Sequence, residues 1–230
     1  MVTAFLKLPF HFSEAKLLCD LEQCKNYNFT SHFNKNDYSG EWTSISLRSQ
    51  NGEMNNIFAL PQGEEHYKNT ELLVKCVYFE EIINLFECEK ESIRLLNLKP
   101  GSIIKEHTDY NLGYEDGVFR IHIPITTNEN VHFFINSEKV KMLPTECWYG
   151  NFNLPHSVRN IGKTDRIHLV MDCLRNEWSD SLFKKNGYNF EFEKKRQTYS
   201  RETKLQMIEQ LKLMKTETSE RMIAELQKEL

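Results

Sequence analysis

Short alternations of apolar and polar residues recur through the first 175 residues. In EWTSISLRS, Trp42, Ser44, Ser46 and Arg48 alternate with Thr43, Ile45 and Leu47, a period of two that predicts a strand. In FRIHIPI, Arg120, His122 and Pro124 share one face and Ile121, Ile123 and Ile125 the other. In RIHLVMD, Arg166 and His168 oppose Ile167, Leu169 and Met171. Further strands are expected near the start of the chain (MVTAFLKLPF), over Ser92–Leu98 and over Glu146–Gly150, with a hairpin from Val131–Asn136 and Lys139–Leu143. Helical spacing appears in two places. Ser13 is a good N-cap residue for a helix reaching about residue 25, with Ala15, Leu17, Leu18, Leu21 and Cys24 on its apolar face. Glu71 to Cys88 reads as a second helix. Residues 26–40 are polar and turn-rich, and 50–70 form a polar loop expected to act as a lid or to be mobile. After Asp172 the pattern changes to aromatics among charges and then, from Ser200, to helical repeats. The predicted chain is mainly β with flanking helices: a β domain with N-terminal helices over 1–175, and a helical extension over 176–230.

Composition narrows the function classes. With 230 residues, 40% hydrophobic and 27% charged, the chain suits one sizeable soluble domain and an appendage. A net charge of −4 argues against a nucleic-acid partner. The six cysteines are scattered without a C-x-x-C pair, which argues against a zinc or redox motif. There is no secretory signal and no long apolar run, so a cytoplasmic chain with reduced thiols and no membrane partner is expected. The mixed-charge amphipathic C-terminal helices would pack on the β domain or pair two copies into a homodimer.

Candidate chemistry gathers between Gly101 and Asp172. His107 and Asp109 lie two positions apart, so on an extended strand they offer an imidazole and a carboxylate to one ion. His156, before the last strands, is the best second imidazole. Two histidines and one carboxylate match the donor set of non-haem iron(II) centres that keep open positions. An isolated H-x-D pair is usually a surface feature, so the neighbouring residues matter. Arg120 and His122 among isoleucines suit an interior that binds an acidic small molecule; the alternative for Arg120 is a solvent-facing position. An inward Arg166 could hold a carboxylate through two parallel hydrogen bonds. His132 and His168 are read as structural.

These elements in order resemble the aspartyl/asparaginyl β-hydroxylase family of Fe(II)- and 2-oxoglutarate-dependent oxygenases, which includes small bacterial amino-acid hydroxylases. They are Leu98-Lys99-Pro100-Gly101, His107, Arg120-Ile121-His122, His156, Arg166 ten residues later, and Asp172. The resemblance implies a double-stranded β-helix (jelly-roll, cupin-like) core. It implies His107, Asp109 and His156 as iron ligands and Arg120, His122 and Arg166 at 2-oxoglutarate, with O2 as the oxidant. Leu96 stands where vertebrate members carry a serine at the co-substrate, and the segment TDYNLGYEDGVF lengthens the gap before R-x-H and is expected to shape substrate choice. By analogy with the family, Arg48 and Trp42 would contact substrate, although a water-facing Arg48 is equally expected. No catalytic group beyond the metal site is expected. The implied activity is hydroxylation of an amino acid that is free, in a peptide or bound to a carrier, with release of succinate and CO2. The rivals are a non-enzymatic cupin-like binder of a metal or small ligand, and an adaptor acting through the C-terminal helices.

Overall fold

The computed structural model describes residues 2–59, 66–193, 200–214 and 216–228, and the chain divides into two compact units, Met1–Phe192 and Glu193–Leu230. In chain order the first unit contains β1 (Phe5–His11), α1 (Glu14–Cys24), β2 (Thr30–Ser31), β3 (Tyr38–Ser39), β4 (Trp42–Ser49), β5 (Lys68–Asn69), α2 (Val77–Asn84), β6 (Lys90–Leu98), β7 (Ile103–His107), β8 (Val118–Thr126), β9 (Val131–Ile135), β10 (Glu138–Val140), β11 (Glu146–Gly150), β12 (His156–Asn160), β13 (Arg166–Leu174) and α3 (Glu177–Lys185). The second unit holds α4 (Arg201–Met214) and α5 (Glu217–Lys228). No helix of the described residues is long and apolar enough to cross a membrane.

The alternation in the sequence explains the layering. The larger sheet runs β1-β11-β8-β13-β6-β4-β2, with β5 on β4, and the smaller runs β10-β9-β12-β7-β3. Every pairing is antiparallel. One face of the larger sheet presents Ile93, Leu95, Ile121, Ile123, Leu169 and Met171, which form one buried core with Leu17 and Leu21 of α1, Phe79 and Ile82 of α2, and Phe183 of α3. The other face meets the smaller sheet in a second apolar cluster that includes Trp42, Leu98, Ile104, Phe133, Ile135 and Val158. The chain is a double-stranded β-helix, as the strand pattern and the resemblance led us to expect. Helices cover its outer face, which leaves the alternate positions of β6, β8 and β13 pointing inward with their polar side chains.

Local chemistry sets the connections. Asn136 and Ser137, both at positive φ, make the two-residue turn between β9 and β10, a geometry that asparagine tolerates and that matches the twist of a hairpin. Gly101 at φ +77° allows the turn after Pro100, and its N–H donates to Asn160 O at 2.7 Å, tying the entry of β7 to the end of β12. The single helix expected over 71–88 is instead a 3₁₀ turn, Leu73–Lys75, followed by α2. The break falls at Cys76, whose backbone leaves the helical region (φ −109°, ψ 72°), and Asp20 of α1 accepts the Phe79 N–H at 2.8 Å. A carboxylate from a neighbouring helix thus satisfies an orphan donor of the first turn. Ser13 occupies the N-cap position of α1 without a side-chain cap bond.

The first unit extends to Phe192, past the 175/176 change in composition read from the sequence, because α3 packs on the β core. Asn176 and Ser179 form a capping box at its start, and Phe183 is fully buried, stacked on Tyr114 at 3.9 Å. Tyr114 belongs to the segment expected to tune substrate choice. It is fully buried, and its hydroxyl bonds Asp180 Oδ1 at 2.7 Å, so this residue fastens α3 instead. Phe183→Ala removes the centre of that cluster and is expected to cost about 3–5 kcal/mol in urea unfolding; a loss below about 1 kcal/mol would show that α3 is not part of the core. Of the long polar loop, residues 60–65 lie outside the described residues. Its first half is fixed to β4: Met54 O accepts from Ser46 N, and Asn56 O from the Ser46 hydroxyl.

Candidate metal centre

Pairing register brings the two histidines together. β12 lies antiparallel to β7 with His156 directly opposite His107, and their ring centroids are 4.2 Å apart. Asp109 follows two residues after His107, held by its own N–H donating to Phe152 O at 2.9 Å. One ligand atom from each of His107, Asp109 and His156 lies within 4.8 Å of the others. The expected triad is therefore assembled.

The imidazoles are oriented as metal ligands require. His107 Nδ1 lies 2.8 Å from Lys105 O, and His156 Nδ1 lies 3.0 Å from Leu154 O. A carbonyl only accepts, so each Nδ1 carries the proton and each Nε2 keeps a lone pair for a cation. Burial pushes His156 down to about 4, which keeps it neutral at pH 7. Burial alone would raise the Asp109 carboxyl. Arg120 above all, with His156, His107 and Arg94 beside it, outweighs that and holds it below its ordinary range. Two imidazoles with their Nδ1 atoms turned to carbonyls and an ionised carboxylate suit a divalent transition metal.

Arg120, expected at the co-substrate, bonds two carboxylates of the chain. Its Nη1 donates to Asp109 Oδ2 at 2.8 Å, and its Nε and Nη2 clasp Asp172 at 2.6 and 3.0 Å. Asp172 stands opposite Arg120 in the pairing of β13 with β8, so a bidentate fork forms where two strands meet. Arg94 of β6 reaches the same carboxylate, Nη2 to Asp172 Oδ2 at 3.2 Å, and gives Nη1 to Ile57 O at 3.0 Å. This chain of charges fixes Asp109 from behind. Arg120→Met is expected to weaken metal binding about 10–100-fold, the usual cost of losing such a supporting contact, measured by chelator competition; unchanged affinity would show that Arg120 does not orient Asp109.

Arg166 has a different environment. It is 2% exposed, opposite Leu98 at the start of β13, with its guanidinium 5.3 Å from the centre of Phe133. It donates from Nη2 to His168 Nδ1 at 3.0 Å, and its Nε lacks a hydrogen-bond partner. No carboxylate of the described residues pairs with it within 4.0 Å. Burial pushes the guanidinium down to about 9. His122 Nδ1 lies 3.3 Å from His168 Nδ1, and His122 Nε2 is buried without a partner. Burial, followed by the charge of Arg166, drives both imidazoles well below their ordinary range. The result is a buried cation with neutral polar groups around it. His168, read as structural, is the hydrogen-bond partner of Arg166. Leu96 lies opposite both His168 and Ser44, and the Ser44 hydroxyl is buried with no partner.

The two residues assigned to substrate separate. Trp42 lies in the cluster between the sheets, with His32 stacked on it at 3.7 Å and Tyr38 edge-on at 5.8 Å. Arg48 does not join the site. A bulge between Ser46 and Arg48 places it opposite Ile93, on the helix-facing side, where it donates to Lys90 O and Asn69 Oδ1. His32, stacked on Trp42, and Arg94, bonded to Asp172, are buried or interior residues that sequence reasoning did not single out. His32 sits in a turn-rich stretch with no periodicity, whereas Arg94 occupies an inward position of a strand already recognised.

Comparison with known proteins fits this geometry. The family model described as aspartyl/asparaginyl beta-hydroxylase matches residues 13–176. L-proline cis-4-hydroxylase of Rhizobium meliloti (strain 1021) is 26% identical over 179 residues, which span 75% of this chain and 61% of that protein. A crystal structure of an oxidoreductase of the 2OG-Fe(II) oxygenase family from Burkholderia pseudomallei superposes with TM-score 0.51 at 12% identity, covering 81% of this chain and 88% of the other. A prolyl-4-hydroxylase from Pseudomonas putida gives TM-score 0.48 at 9% identity over 75% and 93% of the two chains. With the model match covering most of its β core, the chain belongs to the aspartyl/asparaginyl β-hydroxylase family.

Proposed function

We propose that the protein is an Fe(II)- and 2-oxoglutarate-dependent dioxygenase that hydroxylates an unactivated C–H bond of an amino acid, releasing succinate and CO2. The observation that carries this reading is the pairing of the His107–Asp109–His156 triad with a buried arginine, Arg166, that lacks a carboxylate partner among the described residues. A metal-binding barrel without co-substrate chemistry has no use for that cation, which is costly to bury unpaired.

His107, Asp109 and His156 would hold the iron, and Arg166 would hold the distal carboxylate of 2-oxoglutarate with His122 and His168 beside it. When bound, the iron with its co-substrate supplies the oxidising power for the C–H bond. The chain's own part is geometric and electrostatic. Arg120 keeps Asp109 ionised and aimed. The Lys105 and Leu154 carbonyls fix the imidazole tautomers. Phe133, Phe152 and Trp42 line the interior with apolar surface that keeps water away from the reacting bond. The relative named L-proline cis-4-hydroxylase makes L-proline the first substrate to try, and the unpaired cysteines support a reducing, cytoplasmic setting.

The test is succinate formation by the full chain with Fe(II), ascorbate and 2-oxoglutarate against the twenty free amino acids, with His107→Ala as control. Substrate-stimulated succinate in the wild type alone is the expected result. Failure to bind either Fe(II) or 2-oxoglutarate would overturn the reading.

A further inference from the structure

Four of the six cysteines lie in two facing pairs, each joining elements far apart in the chain. Their spacing hides them, since neither is a C-x-x-C. Cys24 and Cys76 bring their sulfurs to 3.5 Å, and both residues are fully buried. Cys88 and Cys173 are hydrogen-bonded to one another. Cys173 is fully buried in the core beneath the helices, and Cys88 is half-buried and packed against it. Backbone geometry holds this second pair in place. Cys173 lies near the end of β13, where its register partner is Lys90 at the start of β6. Leu174 N donates to Glu89 O at 2.9 Å, and Asn176 Nδ2 donates to Glu87 O at 2.8 Å. Residues 87–90 are therefore sewn to 173–176 around the two sulfurs.

Access and thiolate character separate the two pairs. An oxidant must reach one sulfur, and the attacking species is the thiolate. Cys24 meets neither condition: it is sealed in the core, and its hydrogen bond with Cys76, with burial added, pushes its thiol up. Cys88 meets both. It is partly open to solvent. The hydrogen bond from Cys173, helped by the charge of Lys90, outweighs burial and lowers its thiol. The same bond, with burial, raises Cys173. A reachable sulfur that ionises first, backed by a buried thiol that keeps its proton, is the arrangement of an attacking and a resolving cysteine.

We propose that Cys88 and Cys173 are a redox modification site, which low-molecular-weight disulfides convert to an intramolecular disulfide tying the start of β6 to the end of β13. The Cys88 sulfur attacks one sulfur of the reagent, the reagent's S–S bond breaks, and one small thiol leaves. The Cys173 sulfur then attacks Cys88 Sγ, the mixed disulfide breaks, and the second small thiol leaves with the Cys173 proton. The two cysteines lose two electrons and two protons, and the reagent gains both. At Cys173 strand β13 is paired on both sides, to Lys90 of β6 and Phe119 of β8. The turn that carries Cys88 therefore moves to close the bond, and the strand stays in register. In a reducing setting the pair rests as thiols and closes when the load of small disulfides rises.

The experiment treats the native full chain, without added metal, with glutathione disulfide, blocks the remaining thiols by alkylation and maps the peptides by mass spectrometry. It needs neither iron nor turnover, so its outcome is separate from that of the oxygenase reading. The expected product is a Cys88–Cys173 cross-link, two hydrogens lighter than the two reduced peptides and reversed by a dithiol, with Cys24 and Cys76 alkylated only after unfolding. The cross-linked chain is expected to unfold at a higher urea concentration than the reduced chain, because the bond restricts the unfolded state. Cys173→Ser is expected to stop at a mixed disulfide on Cys88, and Cys88→Ser to leave Cys173 unmodified. No cross-link in the wild type, whether because Cys88 holds a lasting mixed disulfide or because Cys19 alone reacts, would overturn the proposal. A Cys24–Cys76 cross-link that forms as fast would also overturn it, by showing that access does not choose between the pairs. A lower urea midpoint after oxidation would do the same, since the bond would then strain the fold that it is meant to tie. The wild-type map decides the matter even where a variant fails to fold.

Discussion

His156→Ala is expected to abolish stoichiometric Fe(II) binding and all substrate-stimulated succinate formation. His156 is 5% exposed, lies opposite His107, and keeps its Nε2 free because Nδ1 is committed to Leu154 O. Removing it leaves two ligands where three converge. The loss should exceed the ~10–100-fold typical of changes one contact further out. It is not a loss of fold, because the side chain contributes one hydrogen bond to a backbone carbonyl, worth about 1 kcal/mol, and some packing against Phe152 at 4.8 Å between ring centroids. Metal titration and urea unfolding of the metal-free protein separate the two. A variant that retains wild-type metal affinity would remove His156 from the ligand set. One that fails to bind only because the metal-free fold has collapsed would make the residue structural.

Why the sequence revealed some residues and hid others follows from the range of the forces involved. The inward faces of β8 and β13 were legible because a strand has a period of two, so Arg120, His122 and Arg166 among isoleucines and leucines already announced a polar interior. Register was not legible. That His156 would sit opposite His107, and Asp172 opposite Arg120, depends on pairings between strands far apart in the chain; His156 was picked as the second imidazole, but its register was not. The partners of Arg120 were hidden for the same reason: its two carboxylates are 11 and 52 residues away. The side on which Arg48 points was hidden because a single bulge reverses the side on which every later residue of a strand points. The helix over 71–88 failed where a carboxylate on another helix competed with local propensity. Tyr114 looked like a loop residue because nothing local shows that Asp180 and Phe183 close over it.

Arg166→Met is expected to change stability and function in opposite directions. In the protein without ligand, Arg166 is a buried guanidinium with one neutral imidazole as its hydrogen-bond partner and an orphaned Nε, and burial has pushed it down to about 9. Replacing such a charge with an apolar side chain of similar length should be neutral or stabilising by about 1–4 kcal/mol. Co-substrate binding should collapse. A guanidinium gripping a carboxylate through two charged hydrogen bonds, each worth about 1.5–3 kcal/mol, implies a loss of roughly 10²–10⁴-fold in 2-oxoglutarate affinity. Arg166→Lys should fall between the two, since an ammonium keeps the charge but cannot form the planar fork. Metal binding should survive in both, because no triad residue is among the contacts of Arg166. Titrating 2-oxoglutarate into the Fe(II) protein and measuring urea unfolding without ligands gives both readouts on one sample. A destabilised Arg166→Met that still binds 2-oxoglutarate normally would mean the arginine is there for the fold, and the co-substrate anchor would have to be sought elsewhere. A more stable variant blind to 2-oxoglutarate would show that the protein carries an energetically unfavourable buried charge for the sake of its ligand.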